Sequence, residues 1–290
     1  MTATLTKQIS MPGVYDIPAD AYHRDPVTGG SLSSSGARKL LPPHCPARFH
    51  YERQHPPAPS ITFEFGHAAH KLVLGVGPEL VRIDATKWLT NAVKDEVAAV
   101  RAAGGVPLKP DAYDTVHAMA DALRAHPMAA ALFNPASGQA ERALFWQDRQ
   151  TGTWLRALLD WLPGYQAGRR TIFADYKTCE SASPEDLRRS INKYGYHQQA
   201  AWYLDGARAL GLADAAAFVF VCQEKTPPYL VTVAEPDSTS MQLARYLNRQ
   251  AIDLYAECVA NDRWPGYSDG VELIPLPGWV ENAYKWEMSQ

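Results

Sequence analysis

The chain has 290 residues, 46% of them hydrophobic, a formal charge of −3 and an isoelectric point near 6.3. That length and composition suit one large globular domain or two small ones with a real core. The mild acidity excludes a chain that is basic throughout, so any contact with nucleic acid must come from a local patch or through bound cations.

The opening MTATLTKQIS lacks the apolar h-region of a secretory signal, and no apolar run approaches a membrane span. The cytoplasm is therefore the expected compartment, with no membrane partner. Residues 1–36 are rich in loop formers. Ser33, Ser34 or Ser35 can cap a short helix, GARKLL, that Pro42 and Pro43 stop. A second helical piece, CPARFHYERQH, follows. Arg38, Lys39, Arg48 and Arg53 stand there against Glu52 alone, interleaved with His44, Phe49, His50, Tyr51 and His55. Such a mixture suits a nucleic-acid backbone and its end bases, and equally suits a solvated helix face with its aromatics packed inward. Residues 1–60 are expected as a segment packed on a larger domain of residues 61–290.

Residues 61–76, ITFEFGHAAHKLVLGV, predict a helix entered through Gly66, with His67 and His70 on one face. His-x-x-His invites a zinc reading, but no cysteine or third nearby histidine completes a tetrahedral set. One histidine joining carboxylates on a single hard metal is more economical. Residues 86–103 and 110–133 predict helices, the second alanine-rich and broken at Pro127.

From residue 139 the period changes to two. QAERALFWQD, TGTWLRALLDWL and RTIFADYK predict strands, with a hairpin turn at Gln150-Thr151-Gly152 and a Pro/Gly turn before the third. Glu141 opens this sheet, as a further metal or water ligand or only as an exposed strand end. Asp160 ends one apolar run, and Asp175-Tyr176-Lys177 ends the next fifteen residues later. Side chains alternate along a strand, so Asp175 and Lys177 share a face. Paired strands bring Asp160 alongside. Two carboxylates can hold a hard divalent cation, which polarises phosphate and activates water, while a lysine orients that water or stabilises developing charge. On these residues alone, turn-capping aspartates with Lys177 paired to Glu180 are an equal alternative.

Ser183-Pro184 starts a long helix that Gly195 kinks or divides. Arg188, Arg189 and Lys193 form a basic stripe on it. Gln199 and Tyr203 share a face, as ordinary interfacial residues or as hydrogen-bonding partners of a phosphate or a metal-bound water. Residues 216–222 and 229–235 predict two more strands, and Asp237 caps a helix running to about Asn261. The Pro/Gly-rich aromatic tail is expected to pack over the domain or against a neighbouring subunit. The cysteines Cys45, Cys179, Cys222 and Cys258 are widely spaced with no CxxC, which predicts free thiols rather than an iron–sulfur cluster.

A helix with a histidine, strands carrying Glu, Asp and Asp-x-Lys, then a helix with Gln-x-x-x-Tyr: this order resembles the RecB-like branch of the PD-(D/E)XK nucleases. Within that branch it resembles the nuclease domain of RecE (exonuclease VIII) and its phage relatives. The resemblance extends from about Gly13 to Trp279 through GVYDIPADAYH, LSSSGARKLL, FGHAAHKLVL, SASPEDLRRSINKYGYHQQAAWYLDGA and PLPGW. It implies an α/β fold, a mixed central sheet flanked by helices with a helical N-terminal elaboration. It implies His70, Asp160, Asp175 and the Tyr176 carbonyl as ligands of Mg²⁺ or Mn²⁺, as two ions, with Lys177 catalytic; beside those cations its pKa is expected to be lowered, and it would act as base or as water positioner. Gln199 and Tyr203 would support the site, with Glu141 as the acidic residue of the first strand. Arg38, Lys39, Arg48, Arg188, Arg189 and Lys193 would meet the DNA. The implied activity is 5′ to 3′ resection of double-stranded DNA ends, beside an annealing protein of the RecT type, by a homotetramer. Leu159 stands where the motif has Pro, and Asp175 where many members have Glu.

Overall fold

The structure is a computed structural model that describes residues 8–55, 62–164 and 168–285. The expected boundary at residue 60, the first residues of the chain, part of the turn after Pro163 and the last five residues lie outside them. In chain order the elements are β1 (Gly13–Tyr15), α1 (Ala19–His23), β2 (Leu32–Ser33), α2 (Ser34–Leu40), α3 (Pro46–Gln54), α4 (Thr62–Leu74), β3 (Leu80–Arg82), α5 (Asn91–Ala102), β4 (Val106–Leu108), α6 (Pro110–Ala125) and α7 (Pro127–Leu132). There follow β5 (Gly138–Gln147), β6 (Trp154–Pro163), β7 (Thr171–Cys179), α8 (Pro184–Tyr194), α9 (Tyr196–Ala209), β8 (Ala216–Glu224), β9 (Val231–Ala234), α10 (Ser238–Asn261) and α11 (Gly278–Tyr284).

The central sheet has the order β1-β5-β6-β7-β8-β9, with β2 added parallel to β6. Its centre is mixed: β7 and β8 run parallel, and the flanking pairs run antiparallel. This is the α/β architecture expected from the sequence. One face packs on α2, α9 and α10 through Leu144, Leu159, Phe173, Trp202 and Phe220. The other packs on α4 and α6 through Ala69, Met119, Trp161, Tyr176 and Val221. A third cluster sets Ile9, Tyr22 and Val27 of the N-terminal segment against Ala143 and Phe145. No helix among the described residues is long and apolar enough to cross a membrane.

Local rules explain most boundaries. Ser33 caps α2, Ser183 caps α8 and Asp237 caps α10, each by accepting a backbone N–H. Gly195 takes a left-handed conformation at φ 65° and divides α8 from α9. Pro127 separates α6 from α7. Elsewhere the structure differs from expectation. α4 runs through Gly66 instead of starting there, because a glycine is tolerated inside a helix at modest cost. The helix expected from residue 86 begins at Asn91, where Thr90 caps it. Ahead of it β3 pairs with β4 in a small parallel sheet too short to show a period. β9 starts at Val231, since Tyr229 has φ 61°. The tail does not pack over the domain as a whole. Trp264 is half-buried against Phe49, His50 and Tyr255, but Val271, Leu273 and Trp279 are exposed.

Asp25 ties the N-terminal segment to the sheet. Its carboxylate receives Arg156 at 2.6 Å, Arg53 at 2.8 Å, and the Ser31 N–H and hydroxyl at 2.7 Å. Arg156 belongs to β6 and is largely buried. Asp25→Ala leaves that guanidinium without its counter-charge, and urea denaturation is expected to show a loss of about 3–5 kcal/mol.

Candidate active site

β7 delivers the first half of the site. Alternation puts Phe173 and Asp175 on the α9 face, and Ala174 and Tyr176 on the α4 face. The Asp175 carboxylate is 2% exposed and held from two sides. Oδ1 accepts Gln199 Nε2 at 2.6 Å, and Oδ2 touches Lys177 Nζ at 2.5 Å. Lys177 is thus the partner that compensates this oxygen, as a short charged contact. Lys177 also lies over the Tyr196 ring, 5.4 Å from its centroid. Its expected pairing with Glu180 on the bland reading does not occur, since Glu180 pairs with Lys225.

β6 delivers Asp160 from a break in the sheet. Leu155, Ala157 and Leu159 belong to one core face, yet Trp161 belongs to the other. The phase of the alternation therefore inverts at Asp160. Its neighbour on β5 is Glu141, which has φ 49° between the paired positions Ala140–Trp161 and Arg142–Leu159. A left-handed non-glycine residue in a strand is strained, and such strain gathers at functional sites. β6 and β7 share only the pair Trp161–Ala174, so the two strands part beyond it. Asp160 Oδ2 fills part of the gap by accepting the Tyr176 N–H at 2.8 Å. In a strand the C=O of a residue points the same way as its N–H, so the Tyr176 carbonyl also faces the opening.

α4 closes the gap from the opposite side with His70. Its Nδ1 is 3.7 Å from Asp160 Oδ2, its ring packs edge-on to Tyr176 at 5.1 Å, and it makes a hydrogen bond to the Tyr176 backbone. Burial, reinforced by the Lys177 charge, pushes the imidazole down to about 4, so it is neutral at physiological pH and can serve as a ligand. The Asp160 carboxyl is raised well above its ordinary value by burial and by the Asp175 charge. Burial alone would lower the Lys177 pKa, but Asp175 and Asp160 outweigh it and hold it above the ordinary lysine value. The lowered lysine pKa expected from the sequence presupposes cations that neutralise those carboxylates.

The chemistry of the donors fits a hard divalent cation: two carboxylates, a neutral imidazole and a facing carbonyl. Among the described residues, no three His, Cys, Asp or Glu side chains already stand in ligating geometry. The Lys177 ammonium touches the Asp175 oxygen that would bind. Gln199 steadies Asp175, and Tyr203 in turn hydrogen-bonds Gln199 while its ring packs on Phe218. Tyr196 was not picked out from the sequence, although its spacing of three to Gln199 and seven to Tyr203 places all three on one helical face.

The expected DNA contacts divide into two kinds. Arg38 is a structural cap: its guanidinium donates to the backbone carbonyls of Lys193 and Tyr194 at the end of α8. Those two bonds hold the guanidinium at the helix end and leave its other N–H donors unassigned. Lys39 and Arg48 share Glu52. Arg188 and Arg189 are exposed and pair only along their own helix, contacts that a phosphate readily displaces. Lys193 lies over the Tyr194 ring.

A family model described as a PDDEXK-like domain of unknown function matches residues 33–277. Among solved structures, a crystal structure from Eubacterium rectale, described as a putative exonuclease, aligns with a TM-score of 0.60 at 12% identity. The alignment covers 93% of this chain and 98% of that one. No protein of curated function matches.

Asp160 is expected to cost the metal-free protein stability, because its raised pKa means that stability falls as the pH climbs from the unfolded value through the folded one. Asp160→Asn keeps an acceptor for the Tyr176 N–H and removes the charge. In EDTA at pH 7 its melting temperature should exceed wild type, by roughly 2–4 °C per kcal/mol relieved. Magnesium should then raise the melting point of wild type and not of the variant.

Proposed function

From the premise that the chain belongs to the PDDEXK-like domain family, whose fold supports a nuclease, we propose a metal-dependent exonuclease that resects linear double-stranded DNA from 5′ to 3′. The observation that carries this reading is the placement of His70 against Asp160 and of Lys177 against the buried Asp175 where β6 and β7 part, with the Asp175 charge raising the Asp160 carboxyl. His70, Asp160, Asp175 and the Tyr176 carbonyl would hold the metal, with Glu141 supplying further negative charge at the same break in the sheet. Bound there, Mg²⁺ or Mn²⁺, as two ions in the complete site, would polarise the phosphate and make a nearby water more acidic.

The side chains supply the rest. Gln199 fixes the rotation of the Asp175 carboxylate, and Tyr203 fixes Gln199. Held as an ammonium, Lys177 donates rather than accepts a proton, which assigns it to orienting water and stabilising charge on the phosphate. A base role for Lys177 requires the negative charge of Asp175 and Asp160 to be taken up by cations first.

Production of 3′ single strands, an annealing partner of the RecT type, a tetrameric assembly and action on DNA ends in the cytoplasm belong to the same proposal. They rest on the likeness of the motif order to RecE-type nucleases.

The test is digestion of linear duplex DNA, labelled at each 5′ end in turn, with Mg²⁺ or EDTA, beside covalently closed circles. Early Mg²⁺-dependent release of 5′ label with intact circles supports the proposal. Nicked circles replace it with an endonuclease, and end binding without cleavage replaces it with a non-catalytic scaffold. Asp175→Asn is expected to abolish cleavage while leaving the fold. Lys177→Ala is expected to slow the chemical step by about 10²–10³-fold with a much smaller effect on DNA binding.

A further inference from the structure

Beside Lys177 a cleft of about 560 Å³ opens at the carboxyl ends of β7 and β8, bounded by α8 and the start of α9. Its size lies in the roughly 300–1,000 Å³ of small-ligand sites. Its position is the crevice beyond the carboxyl ends of parallel strands, where α/β sheets bind ligands. The only parallel pair among the long strands of the central sheet therefore aims its open end at this cleft.

Two features of the lining point to one ligand chemistry. The first is an aromatic stack that leads outward from the core. Phe220 stacks on Tyr196 at 5.0 Å and 23°, and Tyr196 stacks on Tyr194 at 5.6 Å and 28°. Tyr194 is 47% exposed, which leaves part of its ring open to the cleft. The second is a set of cations placed along that stack. Lys177 lies over Tyr196 at its inner end, Lys193 lies over Tyr194 at its outer end, and Arg189 and Lys225 complete the wall. Glu180 and Asp186 are the acidic residues in the lining, each paired at an exposed site with Lys225 or Arg189. Exposed pairs of this kind are weak, so a phosphate can take the cation.

A planar aromatic step beside mobile cations is the chemistry that recognises a nucleotide: the ring stacks on a base and the cations meet its phosphate. Resting on the nuclease reading, we infer that this cleft seats the terminal nucleotide of the unpaired strand at the active site, with its base on Tyr194 and its phosphates met by Lys193, Arg189 and Lys225. An entering base replaces the Lys193 ammonium over the ring and frees it to swing to the phosphate. Lys177 then stands at the boundary between the seated nucleotide and the carboxylates.

The experiment measures binding of a fluorescein-labelled, 5′-phosphorylated five-nucleotide single strand to the full chain in EDTA, by fluorescence polarisation, at several salt concentrations. Tyr194→Ala is expected to weaken binding by about tenfold, in line with the loss of one base stack, and Tyr194→Phe to restore it. Lys225→Ala together with Lys193→Ala is expected to flatten the salt dependence. With Mg²⁺, Tyr194→Ala should raise KM for linear DNA more than it lowers kcat. Wild-type-like binding by Tyr194→Ala, at an unchanged melting temperature, overturns the inference. So does equal weakening by the Ala and Phe variants. The two readings fail separately. Cleavage with an unchanged KM in Tyr194→Ala removes the cleft and leaves the nuclease; Tyr194-dependent binding without cleavage by wild type removes the nuclease and leaves the nucleotide seat.

Discussion

The buried Asp175 carboxylate is the constraint around which this molecule is arranged. A charge that is 2% exposed is tolerable only if its surroundings compensate it. The compensation comes from two elements: Lys177, two residues along the same strand, and Gln199, from the helix lying across it. Gln199 lies one turn past the left-handed Gly195 that separates α8 from α9. Arg38 then secures that break from the N-terminal segment by taking up the last carbonyls of α8. A single carboxylate thus reaches, through its partners, into the sheet, two helices and the chain's first helical pieces.

The second constraint is the parting of β6 from β7. A closed ladder would satisfy the backbone of both strands and leave no room between them. Here Asp160 substitutes a side-chain oxygen for one lost strand partner, and His70 comes from the opposite face of the sheet to the same place. The functional groups consequently arrive from both faces through one opening. The cost is borne locally, in the left-handed backbone at Glu141 and in the Asp160 carboxyl, which burial and the Asp175 charge raise well above its ordinary value. Groups that repel one another in the empty site are the ones a cation would draw together, and this is why the arrangement is better understood as a binding site than as a stabilising network.

Much of this was legible in the chain. Strand alternation put Asp175 and Lys177 on one face, a period of 3.6 put Gln199 beside Tyr203, and Ser183, Pro184, Gly195 and Asp237 marked helix ends by well-understood local preferences. What stayed hidden depended on contacts distant in sequence. The inversion of faces at Asp160 is invisible because an apolar residue on either side satisfies either phase. The partners that Arg38 takes in the fold, the carbonyls of residues about 155 positions away, leave no trace in the local charge pattern. β3 and β4 are three residues each and make a strand only through one another.

The distribution of charge also follows from this geometry. With a net charge of −3, the chain as a whole does not attract a polyanion, and its two site aspartates and Glu141 repel one. A phosphate can approach only where cations outnumber acids, and the lysines and arginines of α8 and the adjoining strand ends form such a place immediately beside the carboxylates. Approach and chemistry are therefore assigned to neighbouring surfaces of opposite sign, with Lys177 belonging to both. The sign of the site itself changes once divalent cations occupy it: two added ions contribute four positive charges, more than the acids there remove. Under the proposed nuclease reading, metal loading would make the carboxylate pocket attractive to phosphate and would couple affinity for nucleic acid to the presence of the ion.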